Sequence, residues 1–220
     1  MLALSAAKPL VLGLTKLPTL LSMLVAMGVC WTAYGWSFAV GLIAAIYVHE
    51  IGHVVALRRL GIAATSPMFV PGFGAFVRLR QYPADAREDA RVGLAGPRYG
   101  CVASLAAAGL GLVLASPFLL AIARASAWLN LFNLLPLGSL DGGRGFRALD
   151  RRSRVLALAV LVVAWALTKE SLVAILAIVA LLRLAGAAPA QGDRRAAVEY
   201  TALIAVLSAL TLLQVPGLPR

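Results

Sequence analysis

The chain has 220 residues, of which 61% are hydrophobic and 13% are charged, and its mean hydropathy is +0.90. A soluble domain of this length needs a more polar surface than such a composition supplies, so the sequence predicts a membrane protein. The net charge of +11 would also suit a nucleic-acid-binding protein. However, the basic residues cluster at the ends of apolar runs, which is typical of positive-inside topology, and we expect no nucleic-acid partner.

Several apolar runs approach or exceed the ~20 residues that span a bilayer as a helix. In chain order, the predicted helices cover residues 17–32, 38–57, 102–123, 126–140, 155–167, 172–184 and 196–215. The two runs between 155 and 184 are short, and they either span the bilayer or form a shallow hairpin. The sequence therefore predicts an all-α polytopic membrane protein with about six or seven transmembrane helices.

Residues 68–79 differ from these apolar runs because two short extended segments flank the turn-forming Pro71-Gly72-Phe73-Gly74. The segment is too short to cross a membrane. Extended backbone at membrane depth is tolerated only where it lines a cavity or packs on protein. We therefore predict a short, membrane-associated segment that resembles a β-hairpin, and the alternative is a surface loop with apolar content.

The second apolar run contains the sequence His49-Glu50-x-x-His53, and these are the two histidines of the chain. On a helix, positions i and i+4 share a face, so both imidazoles can bind one metal ion. Glu50 lies beside them, where it can take a proton from a water molecule that the metal activates. The alternative is a chance match on a surface helix. An ionisable group at membrane depth costs at least ~2.5–3.5 kcal/mol, which favours the metal site with His49 and His53 as ligands.

Catalytic zinc usually has three protein ligands and one open position, so a third ligand is needed. The candidates are Cys30, Cys101 and the acidic residues, most of which lie in charged loops or at the aqueous edge. Asp141 instead follows an apolar run that Pro136 and Gly138 interrupt. We predict Asp141 as the third ligand, and the alternative is an ordinary turn aspartate in an Asp-Gly-Gly sequence.

These two motifs together carry a resemblance. A helix with His49-Glu50-x-x-His53, followed by Asn133-x-x-Pro136-x-x-x-Leu140-Asp141-Gly142, resembles the site-2 protease family of intramembrane zinc metalloproteases. The likeness covers about residues 38–145 and implies one zinc ion per chain, with Asp141 as a ligand. It also implies that Asn133 steadies the substrate or the oxyanion. The segment 71–79 resembles a membrane-associated extended segment of that family.

The chain departs from the family pattern in one place. Members commonly have Gly-Pro followed by a short stretch and Asn, whereas here Gly96-Pro97 is followed by Arg98-Tyr99-Gly100. We therefore assign no role to this segment from the sequence. Asn130 lies one turn before Asn133, and it either contacts substrate or forms a hydrogen bond between helices.

The predicted function is that of an intramembrane zinc endopeptidase which cleaves membrane-spanning substrates near the cytosolic side. Water activated by zinc attacks the peptide bond, Glu50 is the general base and Asn133 assists. An extended substrate would add to the strand near residue 73, and the predicted substrate-binding residues are Phe73, Gly74, Ala75, Phe76, Val77 and Asn130. The alternatives are a transporter or sensor that binds metal without proteolysis, or a different membrane-embedded hydrolase. Few polar groups lie in the apolar runs outside the site, which weighs against transport.

We expect residues 1–220 to form a single membrane-embedded metalloprotease domain, without a soluble regulatory domain. The expected location is the plasma membrane, as a multi-pass protein whose amino terminus is cytosolic. Its expected partners are the lipid bilayer and a transmembrane protein substrate.

Overall fold

Helices dominate the computed structural model, which describes residues 24–25, 27–29, 31–32, 35–62, 68–70, 74–76 and 83–216. The helices are α1 (Trp36–Arg59), α2 (Ala86–Val113), α3 (Pro117–Asn133), α4 (Asp141–Arg147), α5 (Arg151–Thr168), α6 (Ser171–Arg183) and α7 (Arg194–Thr211). The predicted helical class is confirmed for this part of the chain. The helix predicted over 17–32 lies mostly outside the described residues, and those of its residues that are described are helical.

Two short strands lie between α1 and α2. Strand β1 (Met68–Val70) pairs antiparallel with β2 (Gly74–Phe76), and Phe69 is opposite Ala75. Strand β2 lies beside α1, the helix with the histidine motif. Three of the predicted substrate-binding residues, 74–76, thus belong to β2, whereas Phe73 and Val77 lie outside the described residues. The association of this segment with the membrane remains a prediction.

The helix predicted over 102–123 is wrong, because the chain reverses within that range. Helix α2 continues through Pro97, ends at Val113 and is followed by Ala115, whose φ is 47°. The side chain of Ser116 accepts a hydrogen bond from the backbone N–H of Leu119, and Pro117 is the first residue of α3. Proline is favoured at that position, since its missing N–H would have no partner inside the helix. The apolar run predicted over 126–140 is consequently the second half of α3 and the loop that follows it.

Long-range contacts place the ends of several helices on one side of the molecule, which we call the basic end. Leu57 near the end of α1 packs against Val92 in the first half of α2. The backbone N–H of Asp193, which precedes α7, donates to the carbonyl of Ala148 after α4. The exposed arginines at this end are Arg58, Arg59, Arg87, Arg91, Arg147, Arg151, Arg152, Arg183, Arg194 and Arg195.

Arg154 is buried at the basic end, whereas Arg151 and Arg152 beside it are exposed. It is 3% exposed, and its guanidinium donates to the carbonyls of Leu149, Gly186 and Ala187. The guanidinium also lies 5.0 Å from the ring centroid of Phe146. A planar group with five N–H donors can satisfy several carbonyls at once, and this explains how the charge is buried here. Arg154 thereby ties the start of α5 to the loop after α6.

The outer surface of the helices is unusually apolar. Leu112 is 65% exposed, Val113 82%, Leu167 73% and Leu182 73%. Large exposed apolar surfaces fit a bilayer better than water. Among the described helices, α1 alone is both long and apolar enough to cross a membrane unaided, and α6 is apolar but shorter. The predicted number of spans therefore remains a prediction.

Candidate metal centre

Helix α1 presents His49, Glu50 and His53 to the interior, where they are 5%, 5% and 8% exposed. The neighbouring Gly52 explains how this face comes close to α2. A Cβ atom at Gly52 would overlap the backbone carbonyl of Ala95. The glycine therefore lets the backbones of α1 and α2 approach closely beside the histidines.

Three potential ligand atoms converge at this face. The Nε2 atoms of His49 and His53 are 3.1 Å apart, and the Oδ2 atom of Asp141 lies 3.1 Å and 3.2 Å from them, respectively. Ligands of a tetrahedral zinc site at about 2.0–2.1 Å from the ion are separated from one another by about 3.3 Å. The observed triangle therefore has the size of three zinc ligands.

The hydrogen bonds of the two imidazoles fix which nitrogen faces this triangle. The Nδ1–H of His53 donates to the carbonyl of Val92 over 2.8 Å, and the Nδ1–H of His49 donates to Oδ1 of Asn130 over 2.8 Å. Neutral imidazoles that donate through Nδ1 have a lone pair on Nε2. Two lone pairs and the Asp141 carboxylate facing one another repel unless a cation lies between them. The donor set thus fits a metal ion.

The turn that carries Asp141 is held by α7. Helix α3 ends at Asn133, and the hydroxyl of the fully buried Tyr200 donates to the carbonyl of Leu134 over 2.6 Å. A Cβ atom at Gly142 would overlap that same carbonyl. The glycine after Asp141 is therefore needed for α4 to begin directly against the end of α3.

Asp89 on α2 fastens α4 from the other side. Its Oδ1 accepts from Nε of Arg144 over 2.8 Å, and its Oδ2 accepts from Arg147 over 2.9 Å. Arg147 also donates to the carbonyl of Gly138 over 2.7 Å, and Gly138 has a φ of 48°. One carboxylate thus fixes both the helix that begins with Asp141 and the loop before it.

Two glycines of α2, which the sequence analysis did not predict, leave space for side chains of the centre. A Cβ atom at Gly96 would overlap Nε2 of His53 and approach Nε2 of His49, and one at Gly100 would overlap the side chain of Asn130. The sequence assigns no role to residues 96–100. The available signal is that these glycines are spaced i, i+4 and therefore share a face of the helix.

The structure brings most of the predicted site residues together. A metal-binding group can be formed from His49, Glu50 and His53, whose ligand atoms lie within 4.8 Å of one another, and Asp141 adjoins both histidines. Asn133 is half-buried at the end of α3. Of the rival ligands, Cys101 is a buried free thiol that is not in this group, and Cys30 lies outside the described residues.

Comparisons with known proteins show what this part of the chain is similar to. Residues 37–121 match the sequence model of Peptidase family M50. Over 118 residues the chain is 35% identical to a protein of Mycobacterium tuberculosis that is named "Putative zinc metalloprotease Rip3", and the same match is found in two strains. The match covers 50% of this chain and 30% of the relative, so the chain spans less than a third of that protein's length. No solved structure gives a significant match.

These matches confirm the predicted resemblance to this family of metalloproteases, and the family model covers the first of the two motifs. The residues matched by the family model include His49, Glu50 and His53, and the relative that the chain resembles is itself named as a zinc metalloprotease. Asp141 lies beyond residue 121, where the family match ends. Its assignment therefore depends on the geometry of the centre.

Proposed function

We propose that this chain is an intramembrane zinc endopeptidase that cleaves membrane-spanning proteins. The observation that carries the proposal is the triangle of His49 Nε2, His53 Nε2 and Asp141 Oδ2, with separations of 3.1–3.2 Å. Glu50 lies beside this triangle, and His49, Glu50 and His53 are buried on a helix that is itself able to cross a bilayer.

Each polar side chain of the centre has a distinct role in this proposal. His49, His53 and Asp141 hold zinc, which when bound supplies Lewis acidity toward the scissile carbonyl and toward a water molecule. Glu50 takes a proton from the attacking water and passes it to the leaving amine. Burial of the carboxylate keeps bulk water from competing for that proton.

Asn133 is proposed to contact the substrate. It lies one turn after Asn130 on α3, so the two side chains share a face. Within the described part of the chain, the Asn133 carboxamide forms no hydrogen bond, and the residue is only half-buried. A polar group in that state is available to donate to the peptide or to the developing oxyanion.

Strand β2 is proposed to hold the substrate in an extended form. A helical substrate hides its amides in intrahelical hydrogen bonds, so the scissile region must unwind before it is cleaved. Strand β2 lies beside α1, and among the described residues β1 is its pairing partner, so we propose that the substrate adds to the second edge of β2. Main-chain hydrogen bonds to that edge would replace those that the substrate loses.

We expect Ala75→Pro in β2 to impair cleavage while zinc occupancy stays normal. Proline removes a main-chain donor from the strand. Loss of one hydrogen bond costs about 1 kcal/mol, so we expect a decrease of several-fold to about 10-fold in kcat/KM. The control is Ala75→Val, which keeps the N–H and suits a strand. Unchanged cleavage of a full-length membrane substrate by the proline variant would contradict strand addition.

The proposed topology has seven spans, a cytosolic amino terminus and the basic end on the cytosolic side. The arginines of the basic end then obey the positive-inside rule, and Arg124, Lys169 and Arg220 are the basic residues assigned to the outer side. Arg124 lies within α3, where its guanidinium is 3.9 Å from the carboxylate of Glu170, the residue after Lys169. The two short helices α5 and α6 are joined through Lys169 and Glu170, and a shallow hairpin there would reduce the count to five. The metal centre lies toward the basic end, so the cleaved fragment would be released to the cytosol.

Single-cysteine labelling tests this topology. We expect cysteines at Arg59 and Arg152 to react with a membrane-impermeant reagent only after permeabilisation, and a cysteine at Lys169 to react in intact cells. Cys30 and Cys101 are first replaced by serine or alanine so that each variant has one thiol. Labelling of the first two positions in intact cells would reverse the orientation and, with it, the side on which fragments are released.

Removal of the metal tests the activity itself. The substrates are membrane proteins that accumulate uncut in cells expressing Glu50→Gln, reconstituted with the purified chain in liposomes. We expect a zinc chelator to stop cleavage and zinc added back to restore it, because the carbonyl and the water both need the ion. If the chain binds zinc but cleaves no membrane protein, it is a metal-binding transporter or sensor instead.

A further inference from the structure

A buried polar network surrounds Asn130, for which the sequence leaves two roles open. Asn130 is 3% exposed, and Ser126 and Ser104 next to it are 2% and 0% exposed. The Nδ2 amide of Asn130 donates to the carbonyl of Ser126 over 2.7 Å, and the hydroxyls of Ser126 and Ser104 are 2.8 Å apart. Ser104 also donates to the carbonyl of Gly100 over 2.8 Å. The network therefore links α3 to α2 without any charged group.

This network determines which atom of Asn130 faces His49. The Ser126 carbonyl can only accept a hydrogen bond, so the amide nitrogen must point toward it. The amide oxygen then points at Nδ1 of His49, 2.8 Å away, and this nitrogen must carry the proton. A histidine protonated on Nδ1 directs its Nε2 lone pair toward the triangle that it forms with His53 and Asp141.

Gly100 provides the space in which this carboxamide lies. A Cβ atom at position 100 would overlap the Oδ1 and Nδ2 atoms of Asn130. These two atoms form the hydrogen bonds with His49 and Ser126. A side chain at position 100 would thus displace the Asn130 carboxamide. Such a substitution removes none of the hydrogen-bonding groups of the network.

We propose that Asn130 is a positioning residue for the metal centre, which fixes the tautomer and the ring orientation of His49, and that Gly100 is required to seat it. Asn130 does not contact the substrate in this proposal, because both of its polar atoms are engaged and buried. The inference rests on the proposed zinc site, but it does not depend on proteolysis. Its primary readout is therefore metal affinity.

Replacement of Asn130 should weaken zinc binding in the metal-free protein titrated with zinc and a competing chelator. Loss of a hydrogen-bond partner behind a metal-binding histidine typically costs about 10–100-fold in affinity, and we expect Asn130→Ala to fall in that range. The matched control is Asn133→Ala on the same helix, which should bind zinc as the unaltered chain does even where its cleavage is impaired. A cobalt-substituted Asn130→Ala protein should also show altered visible absorption, since the His49 ring is no longer fixed. Zinc affinity equal to that of the unaltered chain would overturn the proposal.

A double-mutant cycle separates positioning from general loss of structure. Gly100→Ala should lower zinc affinity by a similar factor, because the added methyl group displaces the Asn130 carboxamide. In the Asn130→Ala background the space is vacant, so Gly100→Ala should cost almost nothing further. If the two losses add instead, Gly100 acts independently of Asn130 and the proposed link is wrong.

The thermal unfolding of each metal-free variant is measured alongside zinc affinity. If Asn130→Ala does not fold, Gly100→Ala alone still tests the proposal, since it displaces the same side chain. A folded Gly100→Ala protein with unchanged zinc affinity would then overturn it. Failure of the unaltered chain to cleave membrane proteins, with zinc affinity still responding to Asn130, would overturn the proposed function and leave this inference standing.

Discussion

Glu50→Gln is expected to keep zinc and to lose cleavage. The carboxamide has the size and shape of the carboxylate, so the buried site between α1 and α2 is not disturbed. It cannot accept a proton from water, and general-base catalysis contributes about 10²–10⁴-fold to such reactions. The loss of kcat should have that size, while the zinc content measured on the purified protein stays at one ion per chain.

Retention of zinc is the more discriminating half of this result. The Nε2 atoms of His49 and His53 and the Oδ2 atom of Asp141 already lie 3.1–3.2 Å from one another, which is the spacing of a complete three-ligand set. Glu50 is therefore not needed as a ligand. If Glu50→Gln loses zinc together with cleavage, the glutamate is a ligand. If the variant retains both, another group is the base.

A control with the same chemical change makes the comparison specific. Glu88 lies in the first turn of α2, where its carboxylate accepts a hydrogen bond from the backbone N–H of Ala84. Glu88→Gln removes a carboxylate from the chain without touching the metal centre. We expect it to cleave substrate and bind zinc as the unaltered chain does.

The sequence was sufficient for the part of the centre that depends on local geometry. Helical periodicity alone places His49 and His53 on one face, and the apolar run around them marks the site as buried. Asp141 could be predicted because a broken helix in an apolar context is rare among the acidic residues of this chain. The structure joins these three residues, although 88 or more positions separate Asp141 from the histidines in the sequence.

The supporting residues could not be predicted because they depend on how the helices pack against one another. The carbonyl of Val92 and the carboxamide of Asn130 reach the two histidines from different helices, and no sequence pattern specifies which helices are neighbours. The roles of Gly96 and Gly100 could not be predicted for the same reason, since the absence of a side chain matters only when a group from another helix occupies the space. The sequence did contain the i, i+4 spacing of these glycines, but it did not indicate what they face.

The error in the predicted helix boundaries also has a physical cause. Apolar composition does not change at residues 114–116, so hydropathy alone predicts one helix across the reversal between α2 and α3. The decisive signals are the Ser116 cap and the position of Pro117 as the first residue of a helix. Proline inside a helix removes one backbone hydrogen bond, yet α2 continues through Pro97, because its contacts with the neighbouring helices outweigh that loss.

Asp141→Ala is expected to lose zinc and, as a consequence, all detectable cleavage. The carboxylate supplies one of the three ligand atoms, and its removal leaves His49 and His53 as a two-ligand site. Changes behind a ligand cost about 10–100-fold in metal affinity, so removal of the ligand itself should lower zinc affinity by more than about 100-fold. Titration of the metal-free variant with zinc, together with the zinc content after purification, measures this effect.

The carboxylate of Asp89 provides the matched control, because it holds α4 through Arg144 and Arg147 without contacting either histidine. Asp89→Asn loosens the helix that begins with Asp141 but leaves all three ligand atoms in the chain. We therefore expect a smaller decrease in zinc affinity than for Asp141→Ala. Equal decreases would mean that Asp141 acts through the packing of α4, as Asp89 does. If Asp141→Ala retains zinc and cleavage, Asp141 is an ordinary turn residue and the third ligand must lie elsewhere in the chain.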